Sequence, residues 1–173
     1  MDIIVEKKFF SAPYAKVLIV DDINTNLYIA RNSLYPYSII ADLCNSGIAA
    51  IEMLKSSHYD LVFMDYKMPE MDGIETTRLI REWEKELEES AVSIPEGETQ
   101  SLSSASRIPR ERIPIIALTT YDDIGAKEMF LENGFNDYLL KPIDNVKLIK
   151  ILKNWIPKEK QKSAIECSTC AEL

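Results

Sequence analysis

The sequence has little of what several protein classes depend on. Only three of its 173 residues are cysteine, too few for a small secreted fold held by disulfides, and this fits a reducing compartment. No apolar run approaches the roughly 20 residues needed to cross a bilayer. The residues from 1 to 8 carry charges where a secretory signal needs apolar side chains. We therefore expect a cytoplasmic protein.

Positive charge and glycine are also scarce. Lysine and arginine together number 20 against 28 aspartates and glutamates, which gives a formal net charge of −8. A chain of this charge is a poor ligand for nucleic acid phosphates or an anionic membrane surface. With five glycines in all, no glycine-rich loop follows the first apolar run, which disfavours a flavin or nucleotide site. We expect no nucleic acid partner and no direct membrane contact.

The sequence does contain enough apolar residues for a core. They make up 46% of the chain, and 28% of its residues are charged, which suits one soluble globular domain. Segments with helical periodicity alternate with five short apolar runs, which begin near Val17, Ile39, Leu61, Ile115 and Tyr138. This alternation predicts an α/β, doubly wound fold with a five-stranded parallel sheet and five helices.

The spacing of the runs predicts the domain organisation. The third and fourth runs start 54 residues apart, whereas the other neighbours start 22 or 23 apart. We interpret the excess as a serine-rich, mobile insertion at about 90–112. The domain is then expected over 16–157, after an N-terminal extension or linker at 1–15 and before a disordered tail at 158–173. Cys167 and Cys170 lie in that tail, and we interpret their Cys-x-x-Cys spacing as incidental.

Helix signals follow the runs. The first helix is expected at about 25–35, and a face formed by Ile124 and Leu131 predicts the fourth helix. The candidate N-caps of the first, second, third and fifth helices are Asn24, Ser46, Asp72 with Glu75, and Asp144, in that order.

Three aspartates follow two of the apolar runs. Asp21 and Asp22 end the first run, and Asp65 ends the third. If the two runs are neighbouring parallel strands, the three carboxylates converge at the carboxyl edge of the sheet. Such a cluster is costly unless a cation neutralises it, and oxygen ligands suit Mg²⁺. A carboxylate beside Mg²⁺ can attack a phosphoryl group, so Asp65 is a candidate nucleophile that would form an aspartyl phosphate.

Two more polar residues close the last two strands. Thr119 ends the fourth run and Lys141 follows the fifth, so both are expected at the same sheet edge. Either could serve only as a turn residue or a solvated charge, and an aspartate after a strand is often just a helix cap. Their conjunction at four strand ends favours a phosphoryl-transfer site.

The motifs together resemble the response-regulator receiver domain of two-component signalling. They are VLIVDD at 17–22, MDYKMPEMDG at 64–73, IIALT at 115–119 and DYLLKP at 137–142. The resemblance implies a flavodoxin-like sheet with strand order 2-1-3-4-5. It also implies that Asp65 accepts a phosphoryl group from a histidine of a partner kinase, with at most self-dephosphorylation as enzymatic activity of the domain itself.

The resemblance further implies roles for the other site residues. Asp22, Asp65 and the backbone carbonyl of Lys67 would hold Mg²⁺, with Asp21 acting through water. Thr119 would hydrogen-bond the phosphoryl group, and Lys141 would pair with it, the peptide from Lys141 to Pro142 being cis. Tyr138 matches the family's switch aromatic, whose movement with Thr119 changes the surface of the fourth helix, fifth strand and fifth helix.

Finer features resemble receivers of hybrid sensor histidine kinases. They include Asn26 in the first helix and the segments 128–137 and 155–157. In that setting the phosphoryl group would pass to a histidine phosphotransfer domain. Lys67 and Tyr121 occupy positions that modulate the phosphate lifetime in this family. The chain departs from the usual pattern at Ile23 and at Thr120, which could crowd the phosphoryl group.

Three alternatives remain open at this point. A stand-alone response regulator would share every motif. A magnesium-dependent phosphatase that forms an aspartyl phosphate would favour its nucleophile after the first strand and a second aspartate two residues later, where Ile23 and Asn24 stand. A flavin or nucleotide-binding module on the same scaffold lacks the glycine-rich loop that it would need.

Overall fold

A computed structural model describes residues 7–92, 112–121, 123 and 125–166. Strands and helices alternate through most of this part of the chain. The elements are β1 Lys7–Ser11, β2 Lys16–Val20, α1 Asn24–Leu34, β3 Ile40–Cys44, α2 Gly47–Ser56, β4 Leu61–Asp65, α3 Gly73–Val92, β5 Ile115–Thr119, α4 Ala126–Glu132, β6 Asp137–Leu140, α5 Asn145–Trp155 and β7 Lys162–Glu166.

Five strands form one parallel sheet in the order β3-β2-β4-β5-β6. Counted along the chain within this sheet, the order is 2-1-3-4-5, so the predicted fold class is confirmed. Val20 of β2 pairs with Met64 of β4, and Asp65 pairs with Leu118 of β5. The register therefore brings the carboxyl ends of β2, β4 and β5 to the same edge of the sheet.

The core has one cluster on each face of the sheet. Alternate residues of a strand point to opposite faces, so Ile19 packs with Leu27 of α1 and Leu152 of α5, while Leu18 packs in the other cluster with Phe130 of α4. Because both faces are covered, all five residues of β4 and of β5 are buried. This double burial explains why the strands read as continuous apolar runs.

Three of the predicted N-caps are confirmed. Side-chain oxygens of Ser46, Asp72 and Asp144 accept hydrogen bonds from the backbone N–H three residues later, at 3.3, 2.8 and 2.8 Å. Asn24 is not an N-cap, because Ile23 occupies that position and Asn24 is the first helical residue. The Asp21 carboxylate accepts from the Ile23 N–H instead, at 2.9 Å.

The prediction that Leu131 lies on the buried face of the fourth helix is wrong. Leu131 is 43% exposed, and the buried residues of α4 are Ala126 and Phe130. Ile124 lies outside the described residues. Leu131 follows Phe130 directly, so the two point away from each other on a helix, and the larger aromatic ring takes the core position.

The structure differs from the expected linker and disordered tail. β1 and β7 pair antiparallel as a separate two-stranded sheet, with Phe10 opposite Ser163. The polar composition of the segment after 157 predicts disorder, but a residue far away in sequence fixes its first part. The Lys160 ammonium lies 2.6 and 2.8 Å from the Asp60 carboxylate oxygens. Of the predicted insertion, residues 90–92 continue α3 and 93–111 lie outside the described residues, as do Cys167 and Cys170.

A partly buried ion pair on α3, formed by Arg81 and Glu84, fixes the chain where it enters β5. Glu84 accepts a hydrogen bond from the Ile113 N–H at 2.8 Å, and Arg81 donates to the Ile113 carbonyl at 2.8 Å. Arg81 also donates to Asn136, whose side chain accepts from the Ile115 N–H. These bonds fix the position of β5 along the sheet, and hence the position of Thr119 at its end.

Within the described residues, no helix is both long and apolar enough to span a membrane.

Candidate functional site

A cleft of about 670 Å³ opens at the carboxyl edge of the sheet. Five predicted site residues line it: Asp22, Asp65, Lys67, Thr119 and Lys141. Asp21 lies at the same strand end and is only 1% exposed. The structure thus brings together side chains that are up to 120 positions apart in sequence, because four parallel strands end at one edge.

Three carboxylates meet in the cleft. One oxygen from each of Asp21, Asp22 and Asp65 can be chosen so that all three lie within 4.8 Å of one another. Asp21 and Asp65 are buried, whereas Asp22 lies nearer the solvent. An all-oxygen donor set that is open to solvent on one side suits a hard divalent cation that keeps several waters. The residues therefore fit Mg²⁺.

Lys141 bridges two of these carboxylates. Its Nζ lies 2.5 Å from Asp21 Oδ2 and 2.6 Å from Asp65 Oδ1. Burial alone would lower the pKa of Lys141, but the hydrogen bonds and charges of the two aspartates outweigh burial and raise it. The lysine is therefore charged at neutral pH.

The surroundings of Asp65 disfavour the charged form of its carboxylate. Burial raises its pKa, the bond from Lys141 opposes that shift, and the neighbouring charges of Asp21 and Asp22 add to it, so the net direction is upward. The charged form of Asp65 is disfavoured relative to an exposed aspartate. An added cation would relieve this repulsion.

Asp21 differs from Asp22 in its hydrogen bonds. Asp21 Oδ1 accepts from the Ile23 N–H at 2.9 Å and from Asn26 Nδ2 at 3.0 Å, while Oδ2 accepts from Lys141. Among the described residues, no donor bonds to the Asp22 carboxylate. Asp22 is therefore freer than Asp21 to bind a metal ion, and the Asn26 contact is a feature that sequence reasoning missed.

A glycine allows close packing behind Asp65. The Gly73 N–H donates to the Tyr66 carbonyl at 3.0 Å, and a Cβ on Gly73 would lie 2.1 Å from the Asp65 carbonyl oxygen. No larger residue fits there without displacing the backbone of Asp65. The sequence offered Gly73 only as part of a motif, since a close approach between backbones leaves no local signal beyond the glycine itself.

Thr119 and Tyr138 occupy different places. Thr119 is buried in the cleft, and its Oγ1 accepts from the Tyr121 N–H at 2.9 Å. Tyr138 is not among the residues that line the cleft, and its ring stacks on Phe130 with centroids 6.0 Å apart. The peptide from Lys141 to Pro142 is cis, as the resemblance implied.

The mouth of the cleft is partly apolar. Ile23 and Ile29 line it and are 52% and 53% exposed, and Tyr121, also part of the lining, is 42% exposed. Lys67 is exposed beside them, with its ammonium 5.9 Å from the centre of the Tyr66 ring. A partner that reaches Asp65 must therefore pass a rim with both apolar and charged side chains.

Comparisons with known proteins agree with this geometry. The family described as "Response regulator receiver domain" matches residues 17–104. Similar proteins include Histidine kinase 5 of Arabidopsis thaliana, 34% identical over 144 residues, and the sensor protein GacS of Pseudomonas syringae, 31% identical over 140 residues. These matches cover 82% and 81% of this chain but only 16% and 13% of the relatives.

Solved structures extend the likeness to three dimensions. The receiver domain of Ssk1 from Saccharomyces cerevisiae, crystallised with the histidine phosphotransfer protein Ypd1, has a TM-score of 0.67 and 30% identity, covering 82% of this chain and 88% of the other. The receiver domain of the Pseudomonas aeruginosa histidine kinase PA1611, with magnesium in its active-site cleft, has a TM-score of 0.59 and 30% identity, covering 82% and 96%. The chain belongs to the response regulator receiver domain family and is related to histidine kinases.

Proposed function

We propose that Asp65 accepts a phosphoryl group from a phosphohistidine of a histidine kinase, with Mg²⁺ in the cleft, and that the domain then changes conformation within a phosphorelay. The observation that carries this proposal is the meeting of three carboxylates and one charged lysine in a single cleft at the sheet edge. Family membership supports it.

Asp22, Asp65 and the backbone carbonyl of Lys67 would hold the metal, with Asp21 acting through water. The hydrogen bonds support this division, because both oxygens of Asp21 already have donors. When bound, Mg²⁺ neutralises the carboxylates and the charge of the transferring phosphoryl group. The related PA1611 receiver contains magnesium in its cleft.

The transfer is a displacement at phosphorus. An Asp65 carboxylate oxygen forms a bond to phosphorus, and the bond from phosphorus to the imidazole nitrogen breaks, with its electron pair returning to that nitrogen. Lys141 lies 2.6 Å from Asp65, so its ammonium can pair with a phosphoryl oxygen after a small movement. Holding this charge in place before the reaction lowers the barrier.

Thr119 and Tyr138 would convert the modification into a change of surface. The Thr119 hydroxyl accepts from the Tyr121 N–H, so its own proton is available to donate to a phosphoryl oxygen. If Thr119 moves toward Asp65, it draws the loop before α4 with it. Tyr138 packs on Phe130 of α4, so the surface formed by α4, β6 and α5 would change its affinity for partners.

We propose a histidine phosphotransfer domain as a second partner. The related Ssk1 receiver was crystallised with such a protein. The exposed Ile23 and Ile29 beside the cleft supply apolar surface for a partner whose histidine must approach Asp65. Because the chain spans about one sixth of the length of Histidine kinase 5, origin in a hybrid histidine kinase is likewise a proposal.

Intact mass spectrometry after incubation with a small phosphodonor and Mg²⁺ tests the function. We expect a gain of one phosphoryl group that a chelator prevents and that Asp65→Asn abolishes. Asp144→Asn is the matched control, since asparagine also caps a helix. No gain in the wild type, or an undiminished gain in Asp65→Asn, would overturn the proposal. Steady hydrolysis of phosphate esters would instead identify a phosphatase.

A further inference from the structure

The first turn of α1 holds one carboxylate of the site in place. Asn26 Nδ2 donates to Asp21 Oδ1 at 3.0 Å, and the same oxygen accepts from the Ile23 N–H at 2.9 Å. Asn26 also lines the cleft, so its amide stands between the helix and the acidic cluster. None of the roles assigned above to Asp21, Asp22 or Asp65 explains why an amide is there.

The donors around Asp21 use both of its oxygens. A carboxylate oxygen accepts about two hydrogen bonds, and Oδ1 has two, while Oδ2 holds the Lys141 ammonium. Direct coordination of a metal through Oδ1 would require one of these bonds to break. The Asp22 carboxylate has no such donor among the described residues and is free to coordinate.

We propose that Asn26 is a positioning residue of the metal site, which fixes the Asp21 carboxylate so that Asp21 remains an outer ligand and Asp22 and Asp65 bind the cation directly. This inference rests on the proposed function, because it assumes that the cleft takes Mg²⁺. The Ile23 N–H belongs to the backbone and is always present, so the side chain of Asn26 is the adjustable part of this arrangement.

Fixing Asp21 also fixes Lys141. The lysine Nζ contacts Asp21 and Asp65 at 2.5 and 2.6 Å, so Asp21 is one of the two carboxylates that anchor it. Without the Asn26 bond, Asp21 can rotate about its side-chain torsions and carry the ammonium with it. The spacing of the carboxylates then varies, and the cation loses a preformed site.

The test compares two identical substitutions in one helix turn. Asn26→Leu removes the donor with little change in volume, and Asn24→Leu makes the same change at an exposed position that is not among the residues lining the cleft. Residues that hydrogen-bond the ligands of a metal site typically contribute 10- to 100-fold in affinity. Asn26 bonds an outer ligand, so we expect an effect at the lower end, with Asn26→Leu weakening Mg²⁺ binding about 10-fold by calorimetric titration. Asn24→Leu should match the wild type.

A double-mutant cycle distinguishes positioning from a general structural role. If Asn26 acts through Asp21, then adding Asn26→Leu to Asp21→Ala should cause no further loss of Mg²⁺ affinity. If Asn26→Leu weakens Mg²⁺ binding in the Asp21→Ala protein by as much as it does in the wild-type protein, the inference is overturned. If Asn26→Leu does not fold, as judged by its unfolding transition, Asn26→Ala replaces it in the cycle with the same expected result.

The outcomes separate the inference from the function on which it rests. If wild-type protein binds Mg²⁺ and Asn26→Leu binds it within twofold as tightly, the positioning role is overturned and the metal site stands. If the wild type binds no Mg²⁺, the proposed metal site fails, and the inference fails with it. If Asn26→Leu weakens Mg²⁺ binding in the wild-type protein but not in the Asp21→Ala protein, the positioning role of Asn26 is supported.

Discussion

The two ends of β4 each carry a buried aspartate beside a lysine, yet they differ in their surroundings. At the amino end, Asp60 accepts from the Lys160 ammonium and the Lys16 N–H, and the His58 Nε2 lies 3.3 Å from its Oδ1. At the carboxyl end, Asp65 has one lysine, which it shares with Asp21, and it faces two other carboxylates. The charge of Asp60 is therefore balanced by its neighbours, whereas the three carboxylates around Asp65 carry more negative charge than the single lysine balances.

This difference separates a structural ion pair from the site that we propose to be reactive. Asp60 ties the segment after α5 to the start of β4, and nothing in its surroundings calls for a further ligand. Asp65 has a raised pKa because burial and like charges disfavour its anion. Buried groups whose charged form is disfavoured are candidates for catalytic or binding roles, whereas fully paired ions are candidates for a structural role.

The largest expected effect distinguishes the two lysines. Lys141→Met should slow phosphoryl uptake on Asp65 about 100-fold, because it removes a preorganised positive charge from the transferring group. Lys160→Met should leave the rate unchanged. The rate of mass gain in quenched samples measures both, and equal rates for the two variants would remove the distinction between the two ends of β4.

A second prediction concerns stability at the amino end. Asp60→Ala should lower the free energy of unfolding by about 2–3 kcal/mol, because it leaves the Lys16 N–H and the Lys160 ammonium without their acceptor. The value is below that of a fully buried pair because the Lys160 side chain is 29% exposed and can turn to solvent. Urea denaturation measures it, and a loss below about 0.5 kcal/mol would show that the pair is a surface contact.

A third prediction is a gain in stability at the carboxyl end. Asp65→Asn should raise the free energy of unfolding by about 1 kcal/mol at pH 7 in a chelator, since the uncharged amide still accepts from Lys141 and no longer repels its neighbours. The pKa of Asp65 is raised by folding, so its cost is present above that pKa and fades as the pH falls through it. The gap between variant and wild type should therefore narrow in acid. A variant less stable than the wild type at pH 7 would contradict this account.

The same comparison shows what the sequence could predict. Asp65 and its partners were predictable because each follows an apolar run, and parallel strands place such residues at one edge whatever the loops do. Asp60 was not, since its partner Lys160 is 100 positions away in a polar segment that suggests disorder. The Asn26 contact with Asp21 was missed for a related reason: a residue offset of five across a strand-to-helix turn belongs to no regular periodicity.

The most direct test is to locate the modified residue on the chain. Borohydride reduces an acyl phosphate to an alcohol, which turns a phosphorylated aspartate into homoserine that tandem mass spectrometry can place in the sequence. After incubation with a phosphodonor and Mg²⁺, we predict homoserine at position 65 and unchanged aspartate at positions 21, 22 and 60. Homoserine at position 21, 22 or 60 instead of position 65, or at none of the four positions in protein that has gained a phosphoryl group, would contradict the central claim that Asp65 is the phosphoacceptor.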